Sequence, residues 1–241
     1  MAGSSEEQKG KLMALLNDHK ICIITAVNDE EQYNEMLAYL RELEVPAGME
    51  LESLVVWAAG SMTEAYQQGM ESSDAKYKVY LHQDCWLVDT NCLETMVHEF
   101  RSHPEYGIAG VVGSRDIPSS GIWWEGHVSG QVVDNHYFGL WREYIYERSG
   151  EAIPVKALDG VCLMTQYDIP WRQDIFSQWH FYDISQCMEF QRKGYLAVVM
   201  PQQKTWVVHN CGATDMDMVN ETGYEEERLK FVQEYQHDFL R

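Results

Sequence analysis

Lys78-Val79-Tyr80-Leu81-His82-Gln83-Asp84-Cys85-Trp86 is the stretch on which the fold turns. A short apolar run, alternating at its start, stops abruptly at His82-Gln83-Asp84. Asp89-Thr90-Asn91 then opens a helical pattern that runs to about Arg101. An apolar run bounded by polar residues predicts a buried strand, here 77–81, and the helix after it completes half of an α/β unit. In open α/β sheets, ligands occupy the crevice at the carboxyl ends of the strands. His82, Gln83 and Asp84 are predicted to stand at such an end. Taken alone, a turn with a polar tip explains them as well, so the reading depends on the rest of the chain.

The upstream segments repeat the unit. Ile21-Cys22-Ile23-Ile24-Thr25-Ala26-Val27 is a continuous apolar run, as in a strand buried on both faces, and Asn28-Asp29 ends it. Glu31 to Leu43 carries Tyr33, Met36, Leu37, Leu40 and Leu43 at helical spacing. Pro46-Ala47-Gly48 is a turn, and Leu54 to Ala58 a second strand. Ser61-Met62-Thr63-Glu64 is a capping box that opens a helix to about Met70. Three strand-helix pairs in a row predict a parallel sheet with right-handed crossovers. No Gly-x-Gly-x-x-Gly follows the first strand and no Walker loop is present, which removes the main support for ordinary dinucleotide and P-loop readings.

Downstream, 107–112 reads as a fourth strand. From 113 to 150 Gly, Ser, Trp, His and Tyr dominate, with Trp123-Trp124 and an alternating run from Val128 to Val133. This predicts a hairpin or long loop, and such loops are usually functional or mobile. Residues 153–158 and 161–165 read as strands around Asp159-Gly160. Residues 183–193 read as a helix stopped by Gly194, and 196–200 and 205–208 as the last strands. Residues 1–20 read as a leader with a short helix at about 7–17, and 21–212 as one domain. Residues 213–241 read as a helical tail packed on it, acidic and then amphipathic through Leu229, Phe231, Val232, Tyr235 and Phe239.

Composition narrows the function classes. The chain has 241 residues, 45% of them apolar, enough for one packed α/β domain. No apolar run is long enough for a membrane span and no signal-peptide core is present, so a cytoplasmic protein is expected. Six scattered cysteines contain no Cys-x-x-Cys pair, which predicts reduced, mostly structural thiols. Eighteen basic residues against 38 acidic ones give a net charge of −20 without a basic cluster, which disfavours a nucleic-acid partner. A small anionic ligand would need a local remedy, such as a divalent cation or backbone N–H groups.

From about residue 20 to 212 the order of features resembles a glycosyltransferase of the A-type fold (GT-A), and most of all the bacterial glycosyltransferase-like proteins related to glycosyltransferase family 2. That resemblance implies a mixed, mainly parallel sheet flanked by helices, and a metal-dependent, inverting transfer from a nucleotide-sugar donor to an acceptor hydroxyl. Ile21 to Asn28 is similar to the family's first strand and the Asn after it. Ser61-Met62-Thr63-Glu64-Ala65-Tyr66 with Tyr77 to Asp84 looks like its second helix, third strand and metal-binding Asp-x-Asp corner, here His82-Gln83-Asp84. The usual first carboxylate is replaced by His82. The second, which in the family commonly binds the metal, is retained as Asp84. Leu158-Asp159-Gly160 resembles the segment lining the acceptor and donor sugar. His180-Phe181-Tyr182-Asp183 resembles the motif that carries the catalytic base at a helix start, and His209 matches a further metal ligand. The resemblance thus implies donor contacts from Asn28, Asp29, Ser61, His82, Gln83 and Asp84, and acceptor or sugar contacts from Asp159, Gly160, Trp179 and His180. It implies Asp183 as base, and Mn²⁺ or Mg²⁺ on Asp84 and His209. A UDP-sugar heads the donors; the acceptor is undefined.

Each residue also has a plainer explanation. Asp84 suits a turn and His209 a half-buried core position. Asp183 suits a helix N-cap, and Asp159-Gly160 an ordinary hairpin turn. Asp29 and Glu30 suit a cap, and His180 a packed surface histidine. Trp123, Trp124, Trp171 and Trp179 are sugar-stacking candidates whose commoner fate is core packing. Arg115, Lys156 and Lys204 are the cations near predicted strand ends, with solvated surface charge as their default. Two rivals therefore accompany the enzyme: a nucleotide-sugar-binding protein without transfer activity, and a partner-binding module on the same scaffold.

Overall fold

The computed structural model describes residues 16–212 and 223–239. β1 (Asn17–Val27), β2 (Glu50–Trp57) and β3 (Ala75–Leu81) are parallel neighbours with β1 in the middle, linked by α1 (Glu30–Leu40) and α2 (Met62–Ser72). β1 is central because its middle is apolar on both faces: Ile21, Cys22, Ile23 and Ile24 are all completely buried. Burying each isoleucine is worth ~1.5–3 kcal/mol. Asp29 caps α1 by accepting from the backbone N–H groups of Glu31 and Gln32. Ser61 caps α2 by accepting from Glu64 N, while Glu64 accepts from Gly60 N. The predicted capping box is therefore present, shifted by one residue on its return bond.

The chain continues through β4 (Cys85–Leu87), α3 (Cys92–Ser102), β5 (Tyr106–Gly110), β6 (Val112–Ser114), β7 (Val128–Asp134) and β8 (Arg142–Ile145). It closes with β9 (Ile153–Val155), β10 (Ala157–Leu158), β11 (Cys162–Thr165), α4 (Tyr182–Arg192), β12 (Leu196–Val199), β13 (Val207–His209) and α5 (Tyr224–Phe239). The main sheet has seven strands in the order β2-β1-β3-β11-β5-β12-β9. β5 and β12 oppose β11 and so run with β1–β3; only β11 and β9 run the other way. This is the mixed, mainly parallel sheet that was expected. A second sheet runs β10-β6-β7-β13-β4, and β8 also pairs with β7, off this path.

Several boundaries differ from the sequence reading. The leader's residues up to 15 lie outside the described residues, but Asn17 already belongs to β1. Two expected strands, 107–112 and 153–158, are each broken and divided between the sheets, at Val111 and Lys156. An apolar run does not reveal where it changes partner. Here the change is fixed by Val111 O, which accepts from Gln131 N and from the buried Gln202 side chain. Within 113–150 the β7–β8 hairpin forms as predicted.

α5 docks through Tyr224, Phe231, Tyr235 and Phe239, all buried, while Leu229 of the predicted apolar face is exposed. Arg172 and Arg192 tie it to α4 by bridging Glu189 to Glu234, and Arg192 also binds Asp238. All six cysteines are unpaired; five are buried and Cys211 is half-buried. Among the described residues no helix is long and apolar enough to cross a membrane.

Candidate active site

β3 ends where the sequence turns polar, and residues 82–85 form a turn closed by Cys85 N donating to His82 O. Gln83 fastens this turn to the end of β1. Its Oε1 accepts from Asn28 N and Asp29 N at 2.9 and 3.0 Å, and its Nε2 donates to Asn28 Oδ1 at 2.6 Å. β4 then pairs antiparallel with β13, setting His209 opposite Cys85, and Asn210 N donates to Asp84 O at 2.7 Å. Asp84 thereby lies between two imidazoles, 3.9 Å from His82 Nδ1 and 3.4 Å from His209 Nε2.

Ligand atoms of His82, Asp84, Cys85 and His209 all fall within 4.8 Å of one another. Burial pushes the Cys85 thiol far above its usual value in the metal-free site. One carboxylate and two imidazoles stand beside it, a donor set able to hold a divalent metal ion. Burial pushes Asp84 up, but the hydrogen bond and charge of His209, with His82, outweigh it and bring Asp84 to about 2. The reverse holds for His209, which burial pushes down and Asp84 holds well above its usual value. Burial lowers His82 to about 4, leaving it a neutral imidazole at neutral pH.

A cavity of about 260 Å³ opens at the carboxyl ends of β1, β2 and β3. Asn28, His82, Gln83, Asp84 and Trp179 line it together, with Ala58, Ala59 and Met62 as its apolar wall. Asp29 sits beside it as the cap of α1. Ser61 is absent from the lining, and its hydroxyl is engaged in capping α2 and against Thr63.

The second part of the site is built on the start of α4. The N-cap position belongs to Phe181, in the left-handed region at φ 59°, and not to Asp183. Such backbone costs about 1–3 kcal/mol and persists only where packing enforces it. Here the Phe181 ring packs against Tyr224 and Phe231 of α5. Asp183 falls in the first turn and accepts from Gly160 N at 3.0 Å and Ile184 N at 2.8 Å. Burial, with the nearby charge of Asp159, raises its carboxyl to about 7. Asp159 is raised in turn by burial and closes a turn by accepting from Val161 N. That turn joins β10 to β11 in different sheets, so it is not a hairpin.

Tyr182 links the two parts. Its hydroxyl makes a short hydrogen bond with His82 Nε2, and it fills the space where Gly160 lacks a Cβ. Sequence reasoning gives Tyr182 no role, because an aromatic at a helix start reads as core. Asp134, in register with His209, and Asn135, bonded to Asn210 and Gly212, also join the site unannounced by any local pattern.

The remaining candidates disperse. His180 is lowered by burial and packs against Tyr224. Trp123 and Trp171 are buried in the core, while Trp124 is exposed. Arg115 pairs with Glu147 and Lys204 with Asp89, so these two cations are engaged by carboxylates.

The profile of the family described as "Glycosyltransferase like family" matches residues 22–235. Among solved structures, S. aureus TarS superposes with a TM-score of 0.52 at 10% identity, covering 90% of this chain and 40% of that one. TarS 1-349 gives 0.51 at 9% identity, covering 91% and 73%. The same fragment in complex with UDP-GlcNAc gives 0.51 at 10% identity, covering 81% and 59%. At these identities the likeness is one of fold, and it identifies the fold as GT-A. This chain spans well under half the length of full TarS. No curated protein matches by sequence.

Proposed function

This chain belongs to the glycosyltransferase-like family, and we propose that it moves a sugar from a nucleotide-sugar donor to an acceptor hydroxyl with inversion at the anomeric carbon. The observation that carries the reading is the strand-end cavity walled by Asn28, His82, Gln83, Asp84 and Trp179, joined through Tyr182 to a carboxylate raised to about 7.

In this reading the cavity takes the nucleotide. Asn28 and Gln83, held by each other, present amide groups to it, and Trp179 offers a ring face. Asp84, His82 and His209 would hold a divalent cation, whose chemistry is to neutralise the charge that develops on the leaving diphosphate. Asp183 accepts the proton of the acceptor hydroxyl as that oxygen bonds to the anomeric carbon and the bond to phosphate breaks. A base with a pKa near the working pH is suited to this. Gly160 N–H and Ile184 N–H each hold one Asp183 oxygen, which fixes the carboxylate in place and leaves the second lone pair of each oxygen to accept the proton. A UDP-sugar is the first donor to try, since TarS 1-349 was solved with UDP-GlcNAc. The six unpaired cysteines support a reducing cytoplasm, where nucleotide sugars are available.

One observation favours a second reading. Asp84 is already neutralised by His209, so the cavity can bind a nucleotide sugar without metal and without turnover. A thermal-shift screen of UDP-, GDP- and CMP-sugars with and without Mn²⁺ separates the two. A donor at about 100 times its dissociation constant adds about 2.7 kcal/mol of stability. Mn²⁺-dependent stabilisation supports the metal-dependent enzyme, and metal-independent stabilisation supports the second reading. No stabilisation by any donor refutes both.

A further inference from the structure

The β7–β8 hairpin presents one face whose residues can be read from its register. Directly opposed residues of an antiparallel pair share a face, as do alternate residues of one strand. Val132 opposes Tyr144 and Asp134 opposes Arg142. Beyond the strand end Tyr146 N donates to Gly130 O, so Tyr146 continues the row of Tyr144. The rings of His136, Tyr144 and Tyr146 are nearly parallel, each 17° from the next, with centroids 5.8 and 6.3 Å apart. Tyr146 is 41% exposed and His136 is exposed, while Tyr144 is half-buried.

This row ends at the candidate active site. Asp134 pairs in register with His209, and His136 Nδ1 lies 2.7 Å from Asp134 Oδ1. Burial raises the Tyr146 phenol, and the nearby Tyr144, Asp134 and Asp159 raise it further. Flat ring faces alternate here with the Asp134 carboxylate and the His136 imidazole. That combination suits a partner with apolar C–H faces and a rim of hydroxyls, and it suits a lipid or an apolar peptide poorly.

We propose that this face is the acceptor platform and that the acceptor is a saccharide chain, its rings stacked on Tyr144 and Tyr146 and its hydroxyls bound by Asp134 and His136. The proposal rests on the glycosyltransferase reading and names the acceptor class that reading leaves open. Tyr144 and Tyr146 are specificity residues in it, with no part in donor binding.

The test uses the full chain with UDP and Mn²⁺, applied to immobilised malto-, cello-, chito- and manno-oligosaccharides, and thermal shift by UDP on the same samples. At least one oligosaccharide series is expected to retain the protein. Tyr146→Ala should weaken that binding about tenfold, the scale of losing one stacked ring. Tyr146→Phe should keep it, and the UDP shift should be the same in all three proteins. Retention of none of the four series, or equal retention of Tyr146→Ala, overturns the proposal. So does retention by phosphatidylcholine vesicles that Tyr146→Ala abolishes, which would assign the face to lipid. A normal UDP shift with no saccharide retained refutes the platform alone. Absence of the UDP shift refutes UDP as the nucleotide, whatever the saccharides show.

Discussion

Asp183→Asn removes the ionisation of the proposed base while keeping one of the two oxygens that accept backbone N–H groups. The amide keeps an oxygen that can accept from Gly160 N or Ile184 N, so α4 should start where it does now. What disappears is the ionisation. Burial first, and Asp159 second, raise the carboxyl from 3.8 to about 7. Because the folded-state value is the higher one, the protonated form stabilises the fold at low pH. That stability is lost as pH rises from about 4 through 7. A shift of this size corresponds to an upper bound of ~4 kcal/mol. Asp183 is partly exposed, and water reduces this to ~2–3 kcal/mol. Urea unfolding of both proteins at pH 4, 6 and 8 should therefore show the variant gaining on the wild type by that amount between the extremes. In transfer assays the rate should fall by ~10²–10⁴ with donor affinity unchanged, and the wild-type rise in rate through pH 7 should vanish. A stability difference that does not vary with pH would show that Asp183 titrates normally. Near-normal transfer would remove it as the base, and a joint loss of donor affinity and turnover would move it to the donor site.

Three further outcomes can be measured. Asp84→Asn should abolish Mn²⁺-dependent stabilisation by UDP-sugars while circular dichroism stays native; unchanged nucleotide affinity would take Asp84 out of the metal site. Gly160→Ala should cost ~1–3 kcal/mol because its Cβ would overlap the Tyr182 hydroxyl, and adding Tyr182→Phe should recover part of the loss. Lys78 is fully buried, donating to Ala75 O and to both oxygens of Asp168, whose side chain is 30% exposed. Lys78→Met should destabilise by ~2–3 kcal/mol, less than breaking a fully buried pair because water reaches Asp168, and urea titration will read it.

The three parallel strands and their helices were legible because each carries its own local signal: a two-sided apolar run, a cap, a helical stripe. The corner at His82 was legible for the same reason, since an apolar run that breaks into polar residues marks a strand end. The second sheet was not. Its strands β4, β6 and β10 are two or three residues long, and whether Val112 extends β5 or opens β6 is decided by Gln131 and Gln202, far along the chain. The same limit explains the site. Asp84 and Asp183 stand at element boundaries and could be singled out. Tyr182 joins the cluster only because His82 comes to meet it, and the Ser61 hydroxyl is turned to the helix it starts. Asp183 as an N-cap was the natural local reading. The left-handed turn at Phe181, held by rings from α5, displaced it by two positions.

The distribution of thiols has a practical consequence. Cys22, Cys85, Cys92, Cys162 and Cys187 are sealed in the core, and Cys211 is the one cysteine that solvent reaches. It lies two residues past His209, with its sulfur 3.7 Å from Asn135 Oδ1. The native chain therefore offers one address for a thiol-reactive fluorophore, without any engineered substitution. A dye there would sit at the seam between β7 and β13 and read out occupancy of the neighbouring cleft as a change in emission. Substrate screening could then be followed by light in real time before any product is known.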